Sequence, residues 1–132
     1  RTGSLYAFMQ YGIMPDVVTT AKGLGGGLPI GATMLSERVE NLFTPGLNGS
    51  TFGGNPVSCA GAISIIERID DTLLEEVQEK SKYIFDSFIG AKGIKSVSGL
   101  GLMIGLETDK DAGEVIEKCR EKGLRYSQTQ RA

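Results

Sequence analysis

Glycine placement is the feature that most restricts how this chain can fold. The sequence contains 19 glycines, and most of them fall in three clusters, at residues 23–31, 46–54 and 99–105. Each cluster adjoins a run with the pattern of a strand or a helix, which is not typical of a flexible linker. Because glycine has no Cβ, the clusters allow other backbone or a ligand to approach the main chain closely.

Residues along the chain alternate between strand and helix patterns, which predicts an α/β fold. The β-branched run at residues 16–20 predicts a buried strand of a sheet. Gly99 and Gly101 predict a tight connection between two later strands. Strands are predicted at residues 16–20, 30–35, 94–97, 102–107 and 124–126, and a helical turn at residues 36–40.

Three helices are predicted from their caps and from their apolar spacing. Asn55 followed by Pro56 is typical of a helix start, and Asp111 and Gly123 predict the two ends of the last helix. The apolar residues that recur at helical spacing are Val57, Ala60, Ile63, Ile66 and Ile69 in the first helix, Leu73, Leu74, Val77, Ile84, Phe85 and Phe88 in the second, and Val115, Ile116 and Cys119 in the third. The pattern predicts a piece of a large sheet domain in residues 1–72 and a small αββαβ unit in residues 73–132.

Composition excludes several classes of function. A formal net charge of −2 gives no general attraction to nucleic acid or to an anionic membrane. Histidine is absent, so Ser-His-Asp and Cys-His catalysis are excluded, and two cysteines cannot form a four-cysteine zinc site. No metal site is predicted. No apolar run is long enough to span a bilayer, and without an export signal we expect free, reduced cysteines in the cytoplasm. Since Arg1 is not a methionine, we do not expect it to be the natural start.

Lys22 is the first candidate for chemistry. It follows the predicted strand at residues 16–20 and precedes the glycine cluster at residues 23–31. Partial burial there would favour the neutral amine, which can form a Schiff base with an aldehyde cofactor. The spacing fits neither a P-loop, whose lysine follows its glycines, nor the dinucleotide fingerprint G-x-G-x-x-G. A solvated lysine beside a flexible turn remains the alternative from the residues alone.

Ser50 and Thr51 are the second candidates. They lie in the glycine cluster at residues 46–54, just before the helix that Asn55 is predicted to cap. Hydroxyls and backbone amides at a helix start can bind an anion. The alternative is an ordinary Ser/Thr turn, which is common. The third glycine cluster is interpreted as a tight β connection without chemistry.

Three segments together resemble one family. They are residues 20–27, 49–56 and 99–105, and residues 1–3 and 11–16 fit the same pattern. Their order and intervals resemble the class III pyridoxal-phosphate-dependent aminotransferases, most nearly the acetylornithine and ornithine aminotransferase group. The resemblance covers roughly residues 1–124.

The resemblance implies a fold, a cofactor and roles for particular residues. The chain would be a carboxyl-terminal part of a fold type I transferase, with residues 1–72 in the large cofactor-binding domain and residues 73–132 in a truncated small domain. Lys22 would hold pyridoxal 5'-phosphate covalently and move the substrate proton. Thr51 would bind the cofactor phosphate across a homodimer interface, and Ser50 would lie near the substrate. The implied reaction moves an amino group from N-acetylornithine, or an ornithine-like donor, to 2-oxoglutarate, in arginine biosynthesis.

Parts of the family pattern are not present in this sequence. The acidic partner of the pyridine nitrogen would precede Arg1, and neither Arg125 nor Arg131 matches the family's carboxylate-binding arginine; residues 125–132 do not resemble the family. We therefore expect this chain by itself to be inactive, and its incomplete sheet to self-associate. Two alternatives remain: another enzyme with the same cofactor, similar to glutamate-semialdehyde aminomutase, and a non-catalytic α/β remnant.

Overall fold

The computed structural model describes residues 1–127. The elements within them are β1 Val17–Thr20, β2 Ala32–Leu35, α1 Pro56–Ile66, α2 Asp71–Phe88, β3 Ile94–Leu100, β4 Met103–Thr108 and α3 Ala112–Glu121, with short 3₁₀ helices at Ala7–Tyr11, Lys22–Gly25 and Glu40–Leu42. The predicted α/β composition is confirmed. Contacts divide the chain into two compact units, Thr2–Glu76 and a second unit that begins at Val77 and includes Arg1. The assignment of residues 1–72 and 73–132 to a large and a small domain remains a prediction.

In the first unit, β1 and β2 form an antiparallel pair. The register runs from Val17 opposite Leu35 to Thr20 opposite Ala32. The strand predicted at residues 16–20 is present as β1, but its predicted burial was wrong, because Val17 is 49% exposed. Within the described residues β1 pairs with β2 alone, so no further strand covers its other edge. The hairpin is therefore a scaffold with open edges.

Polar contacts close the base of this hairpin. The Ser36 amide donates to the Asp16 carbonyl at 2.9 Å, and the Ser36 hydroxyl donates to the Asp16 carboxylate at 3.0 Å. Arg38 pairs with the same carboxylate at 3.3 Å. These contacts hold the start of β1 and the end of β2 together.

Two predicted bounds in this region differ from the structure. β2 begins at Ala32 rather than at residue 30. A turn at residues 36–39, followed by a 3₁₀ helix, replaces the helical turn predicted at residues 36–40.

Helix α1 begins as predicted. The Asn55 side chain accepts a hydrogen bond from the Ser58 amide at 2.9 Å, and Pro56 occupies the first helical turn. The apolar residues predicted along this helix nevertheless do not mark its packed face, since Val57 and Ile63 are exposed and the buried residues are Ser58 and Ala62. Helix α1 carries no charged residue, and apolar residues occur on all its sides. The spacing of apolar residues therefore could not identify its packed face.

The second unit contains the later part of α2 and the β3–β4 hairpin. Val77 is buried on the apolar face predicted for α2, and the buried Ser81 hydroxyl donates to the Gly101 carbonyl at 2.8 Å. The strands pair antiparallel, with Leu100 opposite Met103. The predicted tight connection through Gly99 and Gly101 is confirmed.

Helix α3 follows its predicted caps. Asp111 accepts hydrogen bonds from the amides of Gly113 and Glu114, and Gly123 ends the segment with φ +81°. Residues 124–126 form no strand, so within residues 1–127 the order of elements from α2 is αββα, without the last strand of the predicted αββαβ unit.

Candidate functional site

Lys22 lies in the segment that joins the two strands of the first hairpin. This segment, residues 21–31, is called the lysine connection below. Its ends are held together because Thr20 and Ala32, which flank it, are paired across the sheet. Successive turns bond the amide of Leu24 to the Ala21 carbonyl at 3.2 Å and the amide of Leu28 to the Gly25 carbonyl at 3.1 Å. The lysine connection is therefore an ordered series of tight turns.

The backbone of Lys22 is in the left-handed region, with φ +55°. Among the described residues it is the one non-glycine with positive φ. Such a conformation costs about 1 kcal/mol or more for a residue with a Cβ, and it is enriched at functional sites. The expectation of partial burial was wrong, since Lys22 is exposed. Within residues 1–127 no hydrogen bond or ion pair involves its amine.

The lysine connection packs against α1. Gly25 is its buried residue, and a Cβ placed on Gly61 of α1 would lie 3.2 Å from the Gly25 carbonyl oxygen. The same Cβ would lie 2.6 Å from Cδ1 of Leu28. Gly61 and Leu28 were not predicted to belong to the site. No sequence pattern indicates their contact, because it joins segments that are distant in the sequence.

Ser50 and Thr51 lie in the exposed loop that leads into α1. The Gly53 amide donates to the Ser50 carbonyl at 3.2 Å, and the Asn55 side-chain amide donates to the Phe52 carbonyl at 3.2 Å. The loop is tight at one point, because a Cβ on Gly53 would meet the Ser50 side chain at 3.1 Å. Both hydroxyls are thus presented to solvent by an ordered turn.

Helix α1 is the element that relates the two candidate segments. The lysine connection contacts α1 at residues 61 and 65, while the loop of Ser50 and Thr51 ends where α1 begins. Within residues 1–127 no hydrogen bond joins Lys22 to either hydroxyl. The primary amine of Lys22 suits an aldehyde, whereas the two hydroxyls and the backbone amides near them suit an anion.

Other candidate features are few in the part of the chain that the structure describes. Residues 1–127 contain no group of three or more acidic, cysteine or histidine side chains that could hold a metal ion. In the same residues, no helix has both the length and the apolar character needed to cross a bilayer. Arg125 is exposed, and Arg131 lies outside the described residues.

Comparison with known proteins identifies the class. The family model described as Aminotransferase class-III matches residues 1–131. This chain belongs to that family.

Particular relatives are acetylornithine aminotransferases. That of Haemophilus ducreyi is 42% identical over 128 residues, which are 96% of this chain and 33% of the relative. That of Clostridium acetobutylicum is 45% identical over 130 residues, which are 94% of this chain and 34% of the relative. This chain therefore spans about a third of the length of the curated relatives it matches.

Solved structures of aminotransferases share the fold. The ornithine aminotransferase of Toxoplasma gondii matches with a TM-score of 0.82 at 31% identity, covering 95% of this chain and 32% of that one. The N-acetylornithine aminotransferase of Stenotrophomonas maltophilia matches with a TM-score of 0.77 at 33% identity, covering 95% of this chain and 34% of that one. The predicted fold, an α/β part of a pyridoxal-phosphate-dependent transferase, is confirmed.

Proposed function

We propose that the protein to which this chain belongs is a pyridoxal-phosphate-dependent aminotransferase in which Lys22 is the catalytic lysine. The observation that carries the proposal is the conformation of Lys22. It combines left-handed backbone with an exposed, unpaired amine at one end of a paired hairpin. A strained backbone that the surrounding structure holds in place is characteristic of functional positions.

The residues present fit the cofactor in part. Lys22 offers the amine that an aldehyde requires, and Thr51 offers an exposed hydroxyl in a glycine-rich loop before α1, as a phosphate requires. A structure of the Toxoplasma gondii ornithine aminotransferase is described as having pyridoxal phosphate at partial occupancy in its active site, which supports the same cofactor here. Opposite the pyridine nitrogen we expect an acidic side chain from outside these residues.

Each residue then has a defined task in the proposed reaction. When bound, the cofactor withdraws electrons from the substrate α-carbon. The Lys22 amine anchors the cofactor and afterwards accepts and returns the α-proton, which requires an unpaired amine. Thr51 would donate a hydrogen bond from its hydroxyl to the cofactor phosphate in the partner subunit of a homodimer. Ser50 lies beside the substrate and helps to orient it.

The substrates and the setting follow from the relatives. We propose N-acetylornithine or an ornithine-like amine as donor and 2-oxoglutarate as acceptor, because the similar proteins are acetylornithine and ornithine aminotransferases. We also propose a cytoplasmic enzyme of arginine biosynthesis, because the similar proteins are acetylornithine aminotransferases; the free thiols of Cys59 and Cys119 fit a reducing compartment. For this chain alone we propose that transamination is absent, since Lys22 is exposed rather than enclosed.

Reductive trapping tests the proposal. The complete protein to which this chain belongs is purified, mixed with pyridoxal phosphate, reduced with borohydride and mapped by peptide mass spectrometry. We expect the adduct on Lys22 in preference to other lysines, and loss of that adduct in Lys22→Ala. The matched control is Lys92→Ala, which removes an exposed lysine from the second unit. Labelling spread evenly over all lysines would contradict the assignment of Lys22 and favour a non-catalytic remnant.

A second measurement separates the reaction classes. Products formed from N-acetylornithine and 2-oxoglutarate are analysed for the complete protein. Glutamate as product supports transamination between two substrates. Isomerisation of glutamate semialdehyde without a second substrate would instead identify an aminomutase of the same fold.

A further inference from the structure

Gly61 permits an unusually close approach between α1 and the lysine connection. A Cβ at this position would lie 2.6 Å from Cδ1 of Leu28 and 3.2 Å from the Gly25 carbonyl oxygen. Cβ atoms essentially never approach another heavy atom within 3.0 Å. Cδ1 is the movable end of the exposed Leu28 side chain, but the Gly25 carbonyl is backbone, so a Cβ at residue 61 would displace the lysine connection by a few tenths of an ångström.

The same helix face makes a second close contact one turn later. A Cβ on Gly26 would lie 2.9 Å from Cδ1 of Ile65, and Gly26 itself has φ +62°. Residues 61 and 65 are four positions apart, so they lie one above the other on α1. Two glycines of the lysine connection and one of α1 thus form a packed contact with no room for a methyl group.

This contact reaches Lys22 through the backbone. Leu28 donates to the Gly25 carbonyl at 3.1 Å and Gly26 donates to the Gly23 carbonyl at 3.2 Å. Both bonds belong to the turns that follow Lys22. Because the Lys22 amine has no hydrogen bond or ion pair within residues 1–127, this backbone alone sets where the Lys22 side chain begins and the direction of its Cα–Cβ bond.

We propose that Gly61 is a positioning residue for Lys22: the absence of a side chain at this site on α1 lets the lysine connection pack where it does, and thereby sets the direction in which the Lys22 side chain leaves the backbone. The importance of that direction for catalysis rests on the proposed function. The placement itself does not, and it can be measured without cofactor.

The test compares Gly61→Ala with Ser64→Ala in the complete chain. Both changes raise the helix propensity of α1, but Ser64 is exposed and its replacement adds no bulk against the lysine connection. Hydrogen exchange is followed by mass spectrometry in residues 21–31 and in α1. In parallel, the reactivity of Lys22 towards acetic anhydride is measured across pH, relative to Lys92 in the same sample.

We expect opposite responses in the two segments of Gly61→Ala. Exchange in residues 21–31 becomes about 5- to 30-fold faster, whereas exchange in α1 slows or stays unchanged. The reactivity of Lys22 relative to Lys92 changes, because the backbone that carries Lys22 is displaced. In the double variant Gly61→Ala/Leu28→Ala both changes, measured against Leu28→Ala, are smaller, because the nearest side chain is removed and only the contact with the Gly25 carbonyl remains. Ser64→Ala leaves residues 21–31 and Lys22 as they were.

Unchanged exchange in residues 21–31 and an unchanged Lys22 profile in Gly61→Ala would overturn the proposal. Should Gly61→Ala not fold, the double variant Gly61→Ala/Leu28→Ala decides the question, with Leu28→Ala as its reference. Faster exchange in residues 21–31 of the double variant than of Leu28→Ala supports the proposal, because the added Cβ still presses on the Gly25 carbonyl, and equal exchange overturns it. Failure of pyridoxal phosphate to label Lys22 bears on the proposed function and leaves these outcomes unaffected.

Discussion

At the scale of single residues, the backbone of Lys22 is constrained, whereas its side chain is exposed. Its positive φ is held by the tight turns that follow it, while its side chain is open to solvent. Sequence patterns identified this lysine because it sits between a β-branched run and a glycine cluster. They could not give its exposure, which depends on what surrounds the turn rather than on the turn itself.

The strain at Lys22 has a measurable size. Both Lys22→Gly and Lys22→Ala remove the amine, but only glycine adopts positive φ without steric cost. We therefore expect Lys22→Gly to be more stable to urea unfolding than Lys22→Ala by about 1 kcal/mol. Equal stabilities would show that the left-handed conformation at this residue is not maintained in solution.

Gly99 makes a stronger residue-scale prediction in the second unit. It has φ +134°, and a Cβ there would lie 2.0 Å from the Met103 carbonyl oxygen, so relief requires movement of backbone. We expect Gly99→Ala to lower the free energy of unfolding by about 3 kcal/mol or more. The control is Gly105→Ala, whose nearest neighbour, the Ser98 hydroxyl at 3.1 Å, can move aside. A comparable loss in both variants would contradict the geometry of the β3–β4 turn.

At the scale of elements, residues close in the sequence predicted the helix ends correctly, but no sequence pattern predicted which strands pair. The caps of α1 and α3 were predicted correctly because Asn55 and Asp111 act on amides within three residues of themselves. The antiparallel pairing of β1 with β2 was not predicted, since a strand pattern does not specify its neighbour. The packed face of α1 was missed for a related reason: a helix without charged residues, with apolar residues on every side, gives little periodic contrast.

Asn55 connects the start of α1 to the Ser50–Thr51 loop, and two substitutions separate these roles. Asn55→Ala removes the acceptor for Ser58 and should cost about 1 kcal/mol in the free energy of unfolding. Asn55→Asp keeps that acceptor but loses the donor to the Phe52 carbonyl. We expect Asp to retain most of the stability and yet to show faster hydrogen exchange in residues 50–54. Equal exchange in wild type and Asn55→Asp would mean that the side-chain donor does not order the loop.

At the scale of the whole molecule, both units expose large apolar side chains. Ile13, Phe52 and Val57 in the first unit and Tyr83 and Ile89 in the second are each more than half exposed. Apolar surface of this extent favours association.

We expect this chain to form dimers or larger oligomers at tens of micromolar, measured by light scattering after size exclusion. Ile63, which is 56% exposed on the uncharged helix α1, should contribute, so Ile63→Glu is expected to lower the apparent mass. Asn41→Glu adds the same charge at an exposed polar position and should not. Sodium sulfate should strengthen association, because it enhances apolar burial. A monomer at these concentrations would contradict the prediction.

The way the lysine connection is anchored has a consequence for the effect of substitutions within it. Its two ends leave the hairpin at a paired position, Thr20 opposite Ala32, so their separation does not depend on what lies between them. Strand pairing and the position of the lysine are therefore controlled separately: the first by the hairpin, the second by the turns of residues 21–31 and their contact with α1. A substitution within the lysine connection can change where the amine lies while the pairing of β1 with β2 is kept.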